Sequence, residues 1–458
     1  MDSRDSIERA VLLKDERFGD SFGREHAVST LLRTMHRLPP PGCIALYGSW
    51  GSGKTTLLAQ TRNEWQKQGN RAVWFDPWEH ERRPGLLAPL LSTLVRGVQD
   101  GVDVEAMKRL ALGVAKTLAA LSVQVGAQYA FGDVARPFDV LKDVKAKDIT
   151  EHFERVSKEH DEIETAKSTF KQLVEKLLAA HAKKRGTKLE DDERLAIFLD
   201  DVDRCLPENV VLLLEGVKLL LCGQEECPVV FVFALDRHVV GEAIAARYPG
   251  ATAYTGESYL EKIFDASLEV PPLEPKAVGD FIVGRTGSLG APMGELLAVL
   301  GGAHMVAETL GDPAFGNPRV IKRVINRLLL FATHPGGTIA LDALLARAAG
   351  EQARSAECRR VTAWIAGIER FRAFRAAFAD ASSEELATLH ERLSGKDRPG
   401  GLGRFAKIAD TPAFGRYYDL LGLRSLDPGQ IDRQRRPGDP RGRATLRDYD
   451  DLLRRSAL

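Results

Sequence analysis

Short, continuous apolar blocks of strand length recur at Cys43–Tyr47, Ala72–Phe75, Leu195–Leu199 and Val229–Leu235, with a weaker one at Leu268–Val270 before Pro271-Pro272. Blocks that are apolar throughout, rather than alternating, mark strands covered on both faces. Residues 6–38 read as helices around a loop, stopped by Pro39-Pro40-Pro41-Gly42. A helical stretch through Gln68 separates the first two blocks, and a turn at Gly69-Asn70 precedes the second. The order strand, loop, helix, strand predicts a parallel sheet with helices on its faces, five strands in all.

Residues 86–185 show no strand pattern. Ile149, Phe153, Val156, Ile163, Phe170, Leu173 and Leu177 recur at intervals of three, four or seven, which places them on one face of a long helix, read as core packing. Leu110–Phe131 alone raises the question of a membrane, but Lys116, Gln124 and Gln128 interrupt it. A spanning helix needs about 20 mostly apolar residues, so a buried or interfacial helix is expected. Beyond residue 275 the pattern is helical, clearest at Arg319–Thr333 and at Trp364, Ile365, Ile368, Phe371, Phe374 and Phe378. Residues 394–403 read as a connector, and six arginines between Arg433 and Arg447 face a single acid, Asp439. The expected organisation is a sheet domain in two parts (1–85 and 191–275), a helical insertion (86–190), a C-terminal helical domain (276–393), and a linker with an Arg-rich tail (394–458).

The 458 residues suffice for a large core without disulfide or metal staples, and 44% hydrophobic with 28% charged residues is a globular composition. Lys+Arg and Asp+Glu number 64 each, so no global field draws the chain to nucleic acid or anionic lipid. The five cysteines are scattered, with no Cys-x-x-Cys pair, and read as reduced packed thiols. The polar first ten residues are unlike a secretory signal, and a cytoplasmic location is expected.

Gly48-Ser49-Trp50-Gly51-Ser52-Gly53-Lys54-Thr55 fits the phosphate-loop pattern, directly after a strand and at the start of a helix. Its glycines let backbone N–H groups form a nest around phosphates, and the helix N-terminus favours anions. Lys54 would reach the β- and γ-phosphates, the Thr55 hydroxyl would bind Mg²⁺, and Thr56 is placed for the α-phosphate. The block at 195–199 ends in Asp200-Asp201-Val202-Asp203-Arg204. Asp200 is the expected second metal partner, and Asp201 the carboxylate that orients and deprotonates water. Asp203 and Arg204 are expected to pair with each other or with the next helix. After the fourth block, Arg237 is the expected cation facing the transferring phosphoryl group. Arg319 is expected to report nucleotide state to the helical domain. No Asn-Lys-x-Asp base-reading motif occurs, which points to ATP over GTP.

Ala45–Thr55, Val73-Trp74-Phe75-Asp76-Pro77-Trp78 and Phe198–Cys205, with Ala234–Arg237, Tyr259–Phe264 and Pro318–Arg327, together resemble the KAP family of P-loop NTPases over about residues 18–335. The resemblance implies an α/β, three-layer P-loop fold of the additional-strand type and an ATPase that acts as a molecular switch. It also implies a homo-oligomer or a protein partner. Lys54, Thr55, Asp200 and Asp201 carry over by motif, Asp76 and Trp78 gain interest, and Phe22-Gly23-Arg24 is similar to a segment near the adenine in relatives. Bacterial members are linked to phage exclusion, and many insert two membrane helices between the phosphate-site motifs. Here the insertion departs from that pattern, which favours a form without membrane attachment. The expected function is thus Mg²⁺-dependent ATP binding and hydrolysis. The rival is a nucleotide-holding scaffold, or a nucleic-acid-binding protein acting through Arg433–Arg447.

Overall fold

A computed structural model of the chain describes residues 22–82, 86–96, 104–122, 146–190, 192–221, 226–247, 256–395, 402–409, 411–438 and 444–455. Two compact units emerge. One, bearing the sheet, comprises Arg24–Trp50 and Lys54–Val270; the other, helical, comprises Pro271–Leu458 with Phe22, Gly23 and Gly51–Gly53.

In the sheet unit, β1 (Gly42–Tyr47), β2 (Arg71–Phe75), β3 (Leu195–Leu199), β4 (Val229–Leu235) and β5 (Ala266–Glu269) pair in parallel in the order β2-β3-β4-β1-β5. The predicted five-stranded parallel sheet is present, with β4 inserted between β1 and β3 as the additional-strand type requires. β5 starts at Ala266 rather than Leu268, because its pairing with Ile44–Tyr47 sets its extent more than its own apolar content does. The three central strands are buried throughout, and alternate residues serve opposite layers. In β4, Phe231, Phe233 and Leu235 join Leu90, Leu94, Phe170, Leu173 and Val211 in one core. Val230, Val232 and Ala234 join Leu31, Met35, Leu57 and Trp65 in the other.

The described part of the insertion belongs to the first of these layers. Its helices, Leu87–Arg96, Val104–Ser122 and Ala146–Arg185, contribute Leu90, Met107, Val114, Phe170 and Leu177 to the same core as the strands. The predicted long helix is therefore present, and its stripe from Ile163 to Leu177 is core. Ile149, Phe153 and Val156 lie outside the described side chains. Leu110–Phe131 is described only to Ser122, and there Ala111 and Val114 are buried. Among the described residues, no single helix is long and apolar enough to cross a membrane.

The helical unit corrects the expected boundary at 394. Residues 402–455 are not a tail: Phe405, Phe414, Tyr417, Tyr418, Ile431, Tyr449 and Leu453 share one core with Trp364, Phe371, Phe374 and Phe378. Phe371 stacks on Tyr417 at 4.3 Å, and Trp364 Nε1 donates to Asp450 Oδ1 at 3.0 Å. Gly367 admits the Tyr417 ring, since a Cβ there would lie 2.0 Å from the hydroxyl. Three of the arginines are paired: Arg435 and Arg436 with Asp432, and Arg447 with Asp451. Their acids fall outside the window between Arg433 and Arg447, so a linear count misses them. The predicted connector lies mostly outside the described residues.

A Tyr449→Ala chain should lose about 3–5 kcal/mol of stability in denaturant unfolding of the helical unit, the usual cost of emptying a buried aromatic site. A solvated tail would show no change.

Candidate phosphate and metal site

β1 runs straight into the loop, whose first residue is anchored sideways: the Gly48 N–H donates to the Leu235 carbonyl at the end of β4, at 3.2 Å. Gly51 and Gly53 take φ values of +80° and +100°, left-handed conformations that favour glycine. The helix Lys54–Lys67 then begins at once. Lys54 is only 7% exposed, and its ammonium must be satisfied internally. Its Nζ donates to the Gly48 carbonyl at 2.8 Å, to Asp203 Oδ2 at 3.0 Å and, at 3.5 Å, to the Ser49 carbonyl. Asp203 also accepts the Asp236 N–H at 3.0 Å, so one carboxylate ties the loop lysine to the tip of β4.

The predicted metal partners lie together. Thr55 Oγ1 donates to Asp200 Oδ1 at 3.2 Å, and Asp200 is 1% exposed at the end of β3. Its other oxygen, Oδ2, is buried without a hydrogen-bond partner. Burial, and then the neighbouring Asp201 carboxylate and that of Asp76, push the Asp200 pKa up to about 7, against the hydrogen bonds from Thr55 and the Asp201 backbone. An orphaned, charge-starved carboxylate oxygen beside a hydroxyl fits a hard divalent cation. Among the described residues no cluster of three or more His, Cys, Asp or Glu side chains could hold a metal alone. Phosphate oxygens and water would have to complete the shell, as suits Mg²⁺.

Asp201 is 6% exposed, with φ +54°, a left-handed backbone that Asp tolerates better than most residues. Its carboxylate lies 3.0 Å from Arg204 Nε, and Arg204 in turn lies over the Trp78 ring at 5.6 Å. Asp76 accepts the Trp78 N–H at 3.2 Å and so caps the turn that presents this ring. Glu81 holds the following segment, accepting from the Leu206 N–H at 2.8 Å and from Asn209 at 3.0 Å.

Two expectations change. Asp203 and Arg204 do not pair with each other: Asp203 takes Lys54 and Arg204 takes Asp201, because the 3-10 turn Val202–Arg204 sends the two side chains to different partners. Arg237 does not join the lysine and the acidic cluster. It lies over the Tyr47 ring at 5.3 Å and 3.7 Å from both Glu257 and Glu261. Ser49 and Trp50 are exposed, Trp50 by 66%, and Thr56 is half-buried in the first helical turn. Phe22 packs at 4.7 Å on Phe281 in the helical core. Within the helical unit, Arg319 opens the helix Pro318–Thr333, its N–H capped by Asn317 Oδ1 at 3.0 Å. Gly51 belongs to that unit, where a Cβ on it would meet Asn317 Oδ1 at 2.7 Å and Arg319 Cβ at 3.1 Å. The residues that sequence reasoning underrated are Asp203 and Glu81; for Asp203 the available signal was its place three positions after Asp200.

A family model described as the KAP family P-loop domain matches residues 25–334. This chain belongs to the KAP family of P-loop NTPases. As a KAP NTPase it carries the family's nucleotide-binding domain on the sheet and the acidic strand tips just described. No curated protein sequence matches it significantly. Solved structures with some likeness include the Orc1 protein of Aeropyrum pernix in complex with DNA, at TM-score 0.33 and 14% identity over 98% of this chain and 86% of that one. Cdc6p from Pyrobaculum aerophilum aligns at TM-score 0.37 and 14% identity, over 98% of each chain. A Walker-type ATPase of Pyrococcus abyssi aligns at TM-score 0.35 and 12% identity, over 96% of this chain and 99% of that one.

The raised Asp200 pKa has a stability consequence of fixed sign. Between its ordinary value of 3.8 and about 7 the folded chain keeps a proton that the unfolded chain has released, so this group's contribution worsens as pH climbs through that window. In EDTA, Asp200→Asn should therefore be more stable than the parent by roughly 2–4 kcal/mol at pH 8, with the gain shrinking toward pH 5. Denaturant unfolding at the two pH values checks this; a variant no more stable than the parent at pH 8 contradicts it.

Proposed function

We propose that this KAP NTPase binds ATP with Mg²⁺ and hydrolyses it as a molecular switch. The observation that carries this reading is the buried Lys54 ammonium beside the Thr55–Asp200 pair with its orphaned oxygen. Lys54 exchanges the Asp203 carboxylate for the β- and γ-phosphate oxygens of the incoming triphosphate. Thr55 and Asp200 hold the cation, which when bound neutralises charge on those phosphates. Asp201, once Arg204 is drawn off, orients the attacking water and accepts its proton. Arg319, capped by Asn317 beside Gly51, carries nucleotide state into the helical unit to which it belongs. Arg237 is left a supporting part, bracing Tyr47 and the helix Gly256–Ile263. The compartment we propose is the bacterial cytoplasm, and the setting phage exclusion through a homo-oligomer or a protein partner; both rest on the family resemblance.

One observation favours a second reading, a nucleotide-holding scaffold: Asp201, the proposed base, is tied to Arg204. Turnover separates the two. Asp201→Asn should retain Mg²⁺·ATP binding and lose about 10²–10⁴-fold in steady-state phosphate release. Lys54→Ala should lose binding itself. Parent turnover already at background would support the scaffold, and Asp201→Asn turnover equal to the parent's would overturn the assignment of the base.

A further inference from the structure

The helical unit contains a cavity of about 660 Å³ between the helix Glu351–Arg370, the turn after Pro412–Leu420, and the helix Pro428–Arg433. Six charged residues line it, Glu357, Arg359, Arg360, Asp419, Asp427 and Arg433. Formal charge balances, but the acids are already engaged. Glu357 accepts from the Tyr449 hydroxyl and lies 3.4 Å from Arg360 Nη1. Asp419 is paired with Arg424, which is outside the lining. Asp427 caps its helix, accepting the Gln430 N–H at 2.8 Å.

The arginines are not so well supplied. Among the described residues Arg433 has no ion pair or side-chain hydrogen bond, and the polar contact of Arg359 is a weak one, 3.9 Å to Met305 Sδ. Arg360 spends one end on Gln434 and Glu357, while its Nε–H is buried with no acceptor. A guanidinium without a carboxylate partner is open to a charge-assisted hydrogen bond, and an anion in the cavity would meet the exposed Arg359 and Arg433 side chains first. Leu420, Leu421 and Leu426 add an apolar wall, and the volume lies within the range of small-molecule sites.

We infer that this cavity is a second ligand site, which takes a small organic phosphate of nucleotide size through Arg359, Arg360 and Arg433. It is separate from the phosphate loop and does not depend on the proposed ATPase activity. The helix that supplies Arg359 and Arg360 also carries Glu369, which pairs with Arg323 and Arg327 of the helix opened by Arg319. Occupancy therefore bears on the element assigned to report nucleotide state.

The test uses the full chain carrying Lys54→Ala, so that the phosphate loop does not compete, with inorganic pyrophosphate and AMP as probes in titration calorimetry. Saturable one-to-one uptake of either probe is expected. Adding Arg359→Glu with Arg433→Glu should weaken it about tenfold or more, the loss of charge-assisted hydrogen bonds. Arg347→Glu, at an exposed arginine outside the cavity, should leave it unchanged. Absence of saturable uptake of both probes overturns the site, as does equal weakening by Arg347→Glu or none by the cavity pair. Thermal melts of all variants verify folding.

Discussion

A lysine ammonium in a closed pocket must find a counter-charge, and in this chain much else at the strand tips follows from how Lys54 finds one. The loop contributes two carbonyls, Asp203 contributes the carboxylate, and all are within 3.5 Å of the nitrogen. Removing one partner of a buried pair strands the other, at a cost of about 3–5 kcal/mol, so Lys54 and Asp203 hold each other in place. In the proposed function a triphosphate relieves this, because it brings the negative charge that would let Lys54 leave Asp203.

The sheet order makes the arrangement possible. With β4 between β1 and β3, the phosphate loop at the end of β1 and the acidic run at the end of β3 are separated by one strand tip. Asp203 spans it by accepting the Asp236 N–H, and Gly48 is pinned to Leu235 on the same strand. Asp76 from β2 adds a further buried carboxylate, which with Asp201 raises the proton affinity of Asp200. Two further carboxylates, Asp201 and Asp76, act on the one that carries the orphaned oxygen, a surplus of negative charge that suits a divalent cation.

Much of this was legible in the residues, and the remainder was hidden for identifiable reasons. The central strands announced themselves because both faces are buried, which leaves unbroken apolar runs at 195–199 and 229–235. The loop and the Thr55–Asp200 pair followed from spacing. The partner of Lys54 did not, since the three aspartates of the run at 200–203 look alike until a turn has chosen among them. Nor did the partners of Arg237, because the end of a strand fixes where a backbone is, not which of several acids a long side chain meets. The C-terminal segment misled in another way. Its arginines balance against acids that lie outside the Arg433–Arg447 stretch, while Leu446, Tyr449 and Leu453, although at i, i+3 and i+7 on one helix face, are three apolar residues in a ten-residue helix that is otherwise mostly charged.

The exchange of Lys54 between carboxylate and phosphate is tested most directly by titration calorimetry of Mg²⁺·ATP into the parent chain and into Asp203→Asn. If Asp203 competes with the triphosphate for the ammonium, the variant has a less stable empty form and binds the nucleotide about tenfold more tightly. Weaker binding by Asp203→Asn, or no uptake by either chain, would contradict it.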